Sequence, residues 1–121
     1  MAKIFLDANY FIRVITKRSD NDFSPLTSNL LFISPLSVHI FYYVYKIRVP
    51  DGKILKLMDF FNIISLTDEI ITRSGVGPTT DLEDNVQLHS ASAAGCSYFL
   101  TQDRGLLRMK FFGKTAVKAE F

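Results

Sequence analysis

The sequence predicts an α/β protein built in three layers, a central parallel sheet with helices on both faces. Three observations lead there. Short apolar runs of strand length alternate with stretches whose apolar residues recur at helical spacing, which implies βαβ units with right-handed crossovers. Two of these runs lead into aspartates, Ile4-Phe-Leu-Asp7 and Phe99-Leu-Thr-Gln-Asp103, and ligands of open α/β sheets bind beyond the carboxyl ends of strands. With 121 residues, 48% hydrophobic and 21% charged, the chain has the composition of one globular domain, residues 1–121, and not of a disordered segment.

The elements follow in order. Lys3-Ile-Phe-Leu6 reads as the first strand, and Phe11, Val14 and Ile15 place a helix over 10–17. Residues 17–29 are polar and contain Pro25, the mark of a connection or a poorly formed helix. Leu30-Leu-Phe-Ile33 is a second buried strand, and Ser34-Pro35 opens a helix reaching about residue 47, since proline suits a first helical turn. Pro50-Asp-Gly52 breaks it. Ile54, Leu57, Met58 and Phe61 form the stripe of an amphipathic helix, and a third strand is expected over 63–66. Thr67 or Asp68 caps a short helix to Ser74, and 75–78 is a loop. Thr80 with Glu83 makes a capping-box signature for a helix over 81–94, ended by Gly95. Tyr98-Phe-Leu-Thr101 is a fourth strand, and 106–121 holds a short helix and an edge strand.

Charge and cysteine content exclude little. The net charge of +2 and pI of 8.7 fall below the pI above ~9 that marks strongly basic nucleic-acid-binding domains, so an RNA partner is neither required nor ruled out. Cys96, the single cysteine, has no internal disulfide partner, which fits a reducing cytoplasm. Asp7 and Arg13 interrupt what would have to be the apolar region of a signal peptide. No apolar run approaches the ~18 residues of a membrane span. The expectation is a cytoplasmic protein without a membrane anchor.

Asp7 and Asp103 stand at strand ends, and Asp84 lies in the first turn of a helix near the same rim. Such a cluster suits Mg2+ or Mn2+, which take oxygen ligands, and it suits phosphodiester hydrolysis, in which carboxylate-held metals flank the attacking and leaving oxygens. Without a cation the carboxylates repel one another and their pKa values rise. Taken singly, Asp7 also reads as a helix cap, Asp84 as a dipole partner and Asp103 as a turn residue. Asp81, three residues before Asp84, either adds a charge to the site or serves as an exposed capping acid.

The blocks Ile4-Phe-Leu-Asp7-Ala-Asn9, Asp81-Leu-Glu-Asp84-Asn-Val-Gln-Leu-His-Ser-Ala91 and Phe99-Leu-Thr101-Gln-Asp103-Arg resemble the three signature blocks of PIN domains, over nearly the whole chain. The resemblance implies a PIN-like, flavodoxin/Rossmann-like αβα sandwich. It implies a Mg2+- or Mn2+-dependent ribonuclease of the VapC toxin type acting on single-stranded RNA, with homodimerisation and an antitoxin-like protein partner. It carries the family's acidic positions onto Asp7, Asp84 and Asp103 and its supporting polar positions onto Asn9 and Thr101. One position departs. The family has a Glu in the helix after the second strand, where this chain has Ile40 or, by the other assignment, His39. Three carboxylates offer about −3 in place of −4 towards divalent ions. The departure keeps a second reading open, a catalytically degenerate PIN domain that binds RNA or protein. Receiver domains and HAD-type phosphatases share the outline but need an acidic pair or Asp-x-Asp after the first strand, where Asn9 stands here.

The remaining candidates each have a plainer explanation. His39 is either a replacement ligand or a packed histidine. His89 falls about 140° round an ideal helix from Asp84 and points elsewhere. Tyr42, Tyr43 and Tyr45 with Lys46 and Arg48 either stack bases or form a core or dimer face. Arg104, Arg108, Lys110 and Lys114 either guide a phosphate backbone or solvate the surface. Cys96 reads as a small buried residue.

Overall fold

The computed structural model describes residues 1–17 and 26–121. In chain order the elements are β1 (Lys3–Leu6), α1 (Ala8–Lys17), β2 (Leu30–Ile33), α2 (Pro35–Val44), α3 (Gly52–Met58), β3 (Phe61–Ile63), α4 (Asp68–Ser74), α5 (Leu82–Ala93), β4 (Tyr98–Leu100), α6 (Arg104–Leu107), β5 (Phe111–Phe112) and β6 (Thr115–Lys118). The strands form one sheet in the order β3-β2-β1-β4-β6-β5, parallel throughout except for β5, which runs antiparallel to β6 at the edge. The layered parallel sheet expected from the alternation is present.

β1 shows why both faces must be covered. Successive strand residues point to opposite sides of a sheet. Ile4 and Leu6 join the cluster with Phe11, Val14, Leu31, Ile33, Phe41 and Phe61, on the side of α1, α2 and α3. Phe5 joins Leu88, Ala91, Phe99, Leu106 and Val117, on the side of α5 and α6. Phe5 stacks on Phe99 with centroids 5.3 Å apart. On the first face Phe11 meets Phe61 edge-on at 5.1 Å. Burial of side chains this size contributes about 1.5–3 kcal/mol each, so this strand, apolar from Ile4 to Leu6, is stable only between two helical layers.

Three boundaries differ from expectation. Phe61, expected as the last position of the helical stripe, is the first residue of β3, because its backbone pairs beside Leu31 and its ring enters the core. The third strand therefore starts two residues early. The expected helix to residue 47 ends at Val44, and Lys46 takes a positive φ of 52°. The expected single edge strand near the C-terminus is a hairpin, β5 and β6, turned through Gly113 at φ 60°. Its second strand lies inside the sheet, where it is bound to β4. The expected connection over 17–29 falls mostly outside the described residues; within it, Asn29 Oδ1 accepts a hydrogen bond from Ala2 N at 2.8 Å.

Candidate acidic site

The carboxyl ends of β1 and β4 lie side by side at the middle of the sheet, and the first acid arises from that pairing. Asp7 N donates to Leu100 O at 3.0 Å, which extends the ladder one step beyond β1, and Asp7 O then accepts the first bond of α1 from Phe11 N at 2.8 Å. The Asp7 side chain is only 6% exposed. Its Oδ1 accepts from Ala8 N and its Oδ2 from the Thr101 hydroxyl, each at 2.8 Å.

Thr101, fully buried at the end of β4, joins two acids. Its hydroxyl hydrogen goes to Asp7, while its oxygen accepts from Asp103 N at 3.0 Å. Its own backbone N–H is held by Lys118 O at 3.0 Å, so β6 fixes it from the other side. Asp103 then caps α6, with Oδ1 accepting from Leu106 N at 3.0 Å. Burial raises the Asp7 pKa above the ordinary carboxylate value; the bonds from Thr101 and Ala8 oppose this, and the charges of Asp103 and Asp81 add to it.

The second group of acids comes from the start of α5. Asp81, and not Thr80, is the cap: its Oδ1 accepts from Asp84 N at 3.0 Å. The reason lies in Asn85, which sequence reasoning missed. Buried and fully bonded, Asn85 donates from Nδ2 to Ser74 O and Thr79 O, at 2.8 and 3.0 Å. It accepts at Oδ1 from Thr79 N and Oγ1, at 2.9 and 2.6 Å. This clamp draws 74–79 against the helix and leaves Asp81 at the capping position.

Electrostatics link the two groups. Burial, followed by the charges of Asp81, Asp7, Asp103 and Glu83, pushes the Asp84 pKa up to about 6. Burial and the charges of Asp81 and Asp7 also raise Glu83, an exposed acid that sequence reasoning used only as a capping partner. Among the described residues none of these five acids forms an ion pair. The donor set is oxygen only and its charge is uncompensated, which fits a hard divalent cation such as Mg2+ or Mn2+. As the side chains stand, no three His, Cys, Asp or Glu among the described residues are close enough to hold one ion.

The other candidates fall in different places. Asn9 is exposed in the first turn of α1, beside Asp7 in sequence. His39 is exposed and stacks over Tyr43 at 6.3 Å, while Ile40 is half-buried. One turn before Ile40, the fully buried Ser37 accepts a hydrogen bond from Gln87 Nε2 at 3.0 Å, which ties α2 to α5 one turn below Asp84. His89 points away from the acids: its Nε2 donates to Gly77 O at 2.8 Å and its ring packs edge-on against Phe112. Tyr42 packs on the core, whereas Tyr43 and Tyr45 are exposed. Cys96 is buried, which pushes its thiol up to about 11.

No family model matches the chain, and no curated protein matches it. Among solved structures it is similar to a chain of VapBC2 from Rickettsia felis, a structure described as bound to a DNA fragment from their promoter. Identity is 18%, the match covers 95% of this chain and 96% of that chain, and the TM-score is 0.69. The described helices include none long and apolar enough to cross a membrane. The likeness is one of fold, and the fold foreseen from the three sequence blocks is the one found: a PIN-like α/β sandwich similar to that in VapBC2.

Proposed function

We propose that the chain is a metal-dependent ribonuclease of the PIN type, VapC-like, that hydrolyses phosphodiester bonds of single-stranded RNA. The observation that carries this reading is the relay Asp7–Thr101–Asp103 across the ends of β1 and β4, with Asp84 near enough for its charge to be felt. Asp7, Asp84 and Asp103 would hold Mg2+ or Mn2+, and Asp81 would add charge from its capping position. Bound there, the ion supplies Lewis-acid polarisation of the phosphodiester and a more acidic water. To share one ion Asp103 and Asp84 would have to turn from their present positions, which their exposed and half-buried side chains permit. Asp7, fixed by two hydrogen bonds, provides the anchored ligand. Asn9, exposed beside it, orients the substrate.

Two partners belong to this reading. An antitoxin-like protein is supported by the likeness to VapBC2, and a second copy of the chain by exposed Tyr43, Val44 and Tyr45 on α2 and just beyond it. Cleavage of single-stranded RNA that requires Mn2+ or Mg2+ and is abolished by Asp7→Asn tests the reading. Ile40 or His39 at the position of a family acid, together with carboxylates that stand apart, favours a second reading, a degenerate PIN domain that binds RNA or protein without turnover. RNA affinity with no metal-dependent cleavage decides for the second.

A further inference from the structure

One turn below Asp84, α5 meets α2 through polar side chains shut away from solvent. Ser37 and Gln87 are both fully buried, and Gln87 Nε2 donates to Ser37 Oγ at 3.0 Å. That bond uses only one end of the amide. Gln87 Oε1 is buried with no hydrogen-bond partner among the described residues, and so is the hydroxyl of Ser90, a residue 1% exposed. Turning the amide over, so that its oxygen faces Ser37, still leaves its other end unpaired. The Ser37 hydroxyl accepts from Gln87, but its own hydrogen has no acceptor among the described residues.

A buried serine in this fold can be satisfied locally. Ser74 turns its hydroxyl back on Ile70 O, one turn earlier in its own helix, at 2.6 Å. Ser90 has the same option in Val86 O and does not take it. Gln87 and Ser90 are three positions apart, so their side chains leave neighbouring points of one helix face, with Cβ atoms about 5–6 Å apart. A polar group left unpaired in the interior costs its full desolvation. Internal water removes that cost in folded proteins, each such molecule making about three hydrogen bonds to groups that lack protein partners. We infer that one water molecule is built into the seam between α2 and α5, accepting from the hydroxyls of Ser37 and Ser90 and donating to Gln87 Oε1. Serine at both positions suits this, since it brings a hydroxyl to the seam with little bulk. The assignment is independent of what the acids bind.

A crystal structure of the parent chain, at a resolution that shows ordered water, tests this directly. Density for a water within hydrogen-bonding distance of the Gln87 amide and of the Ser37 and Ser90 hydroxyls is the expected result. A seam without such density, or a Ser90 hydroxyl bonded to Val86 O, overturns the inference. Ser90→Ala supplies the energetic check by thermal unfolding. With the water in place the substitution removes a bonded hydroxyl and lowers Tm by about 2–4 °C, although alanine is the better helix former. In a dry seam the same change removes an unpaired hydroxyl, so a Tm that stays level or rises also overturns the inference. Should the variant not fold, the density in the parent chain decides alone.

Discussion

Asp84→Asn should stabilise the metal-free protein at neutral pH, although it removes the negative charge from the first turn of α5. Folding raises the Asp84 pKa from 3.8 to about 6, and each pKa unit is worth about 1.4 kcal/mol, which sets a ceiling near 3 kcal/mol. The side chain is only half-buried, and solvent screening reduces this to about 1.5 kcal/mol. Loss of the favourable helix-dipole interaction offsets about 0.5 kcal/mol. A net gain of about 1 kcal/mol remains, or roughly 4 °C in Tm for a domain of 121 residues.

The sign with pH follows from linkage. A carboxylate whose pKa is raised by folding contributes stability that is fully present below its unfolded value and lost as pH rises through its folded value. The parent should therefore lose stability between about pH 4 and pH 6, the window set by 3.8 and about 6, and the variant should lose less. Thermal unfolding in chelator at pH 7.5 and pH 4.5 measures both. Adding Mn2+ at pH 7.5 should raise the parent's Tm more than the variant's. A variant less stable than the parent in chelator at pH 7.5 would falsify the burial and like-charge repulsion that raise the Asp84 pKa.

Four further outcomes are expected. Thr101→Val removes the hydroxyl from buried Asp7 and should destabilise by about 1–3 kcal/mol, the loss expected when a buried acceptor goes unsatisfied; urea unfolding measures it, and it should move the Asp7 pKa further up. Asn85→Ala frees the 74–79 segment and should lower stability by about 2–4 kcal/mol, with faster amide exchange at Thr79. Phe11→Ala opens the core beside Phe41 and Phe61 and should cost about 3–5 kcal/mol in the same unfolding assay. Ile40→Glu should tighten Mn2+ binding in calorimetry, since Ile40 lies one turn from Ser37 and its contact with α5. Improvement in His39→Glu instead would assign the vacant ligand position to His39, and improvement in neither would remove it.

Much of this fold was legible because it is locally encoded. β1, β2 and β4 are apolar runs with no other stable fate than a two-faced sheet, and Thr67 capped α4 as its type predicts. The errors fall where tertiary pairing overrides local pattern. Phe61 fits a helical stripe and a core strand equally well, and only its position beside Leu31 decides between them. Nothing in the string Thr115-Ala-Val-Lys118 says that it inserts next to β4 and leaves the edge to Phe111-Phe112. At the site, the strand-end aspartates were readable from their place after apolar runs. Asn85 was not, because a polar residue one position past an acid looks solvent-exposed until the loop that it binds is known. Glu83 reads as a partner of Thr80 in a capping box, whereas Asp81 is the cap and the charges of Asp81 and Asp7 act on Glu83.

The bond from Thr101 N to Lys118 O has a consequence for when the site comes into being. The acidic relay joins residue 7 to a threonine 94 positions later, and that threonine is itself held by a strand later still. A chain emerging from the ribosome, at about 5–20 residues per second, exposes Asp7 many seconds before either support exists. Early in synthesis Asp7 is one solvated aspartate with ordinary acidity, and α1 can form behind it without any site. The raised pKa and the shared negative field arise only when β4 docks on β1 and β6 on β4. The chemistry of the site is thus delayed until nearly the whole sequence has been translated.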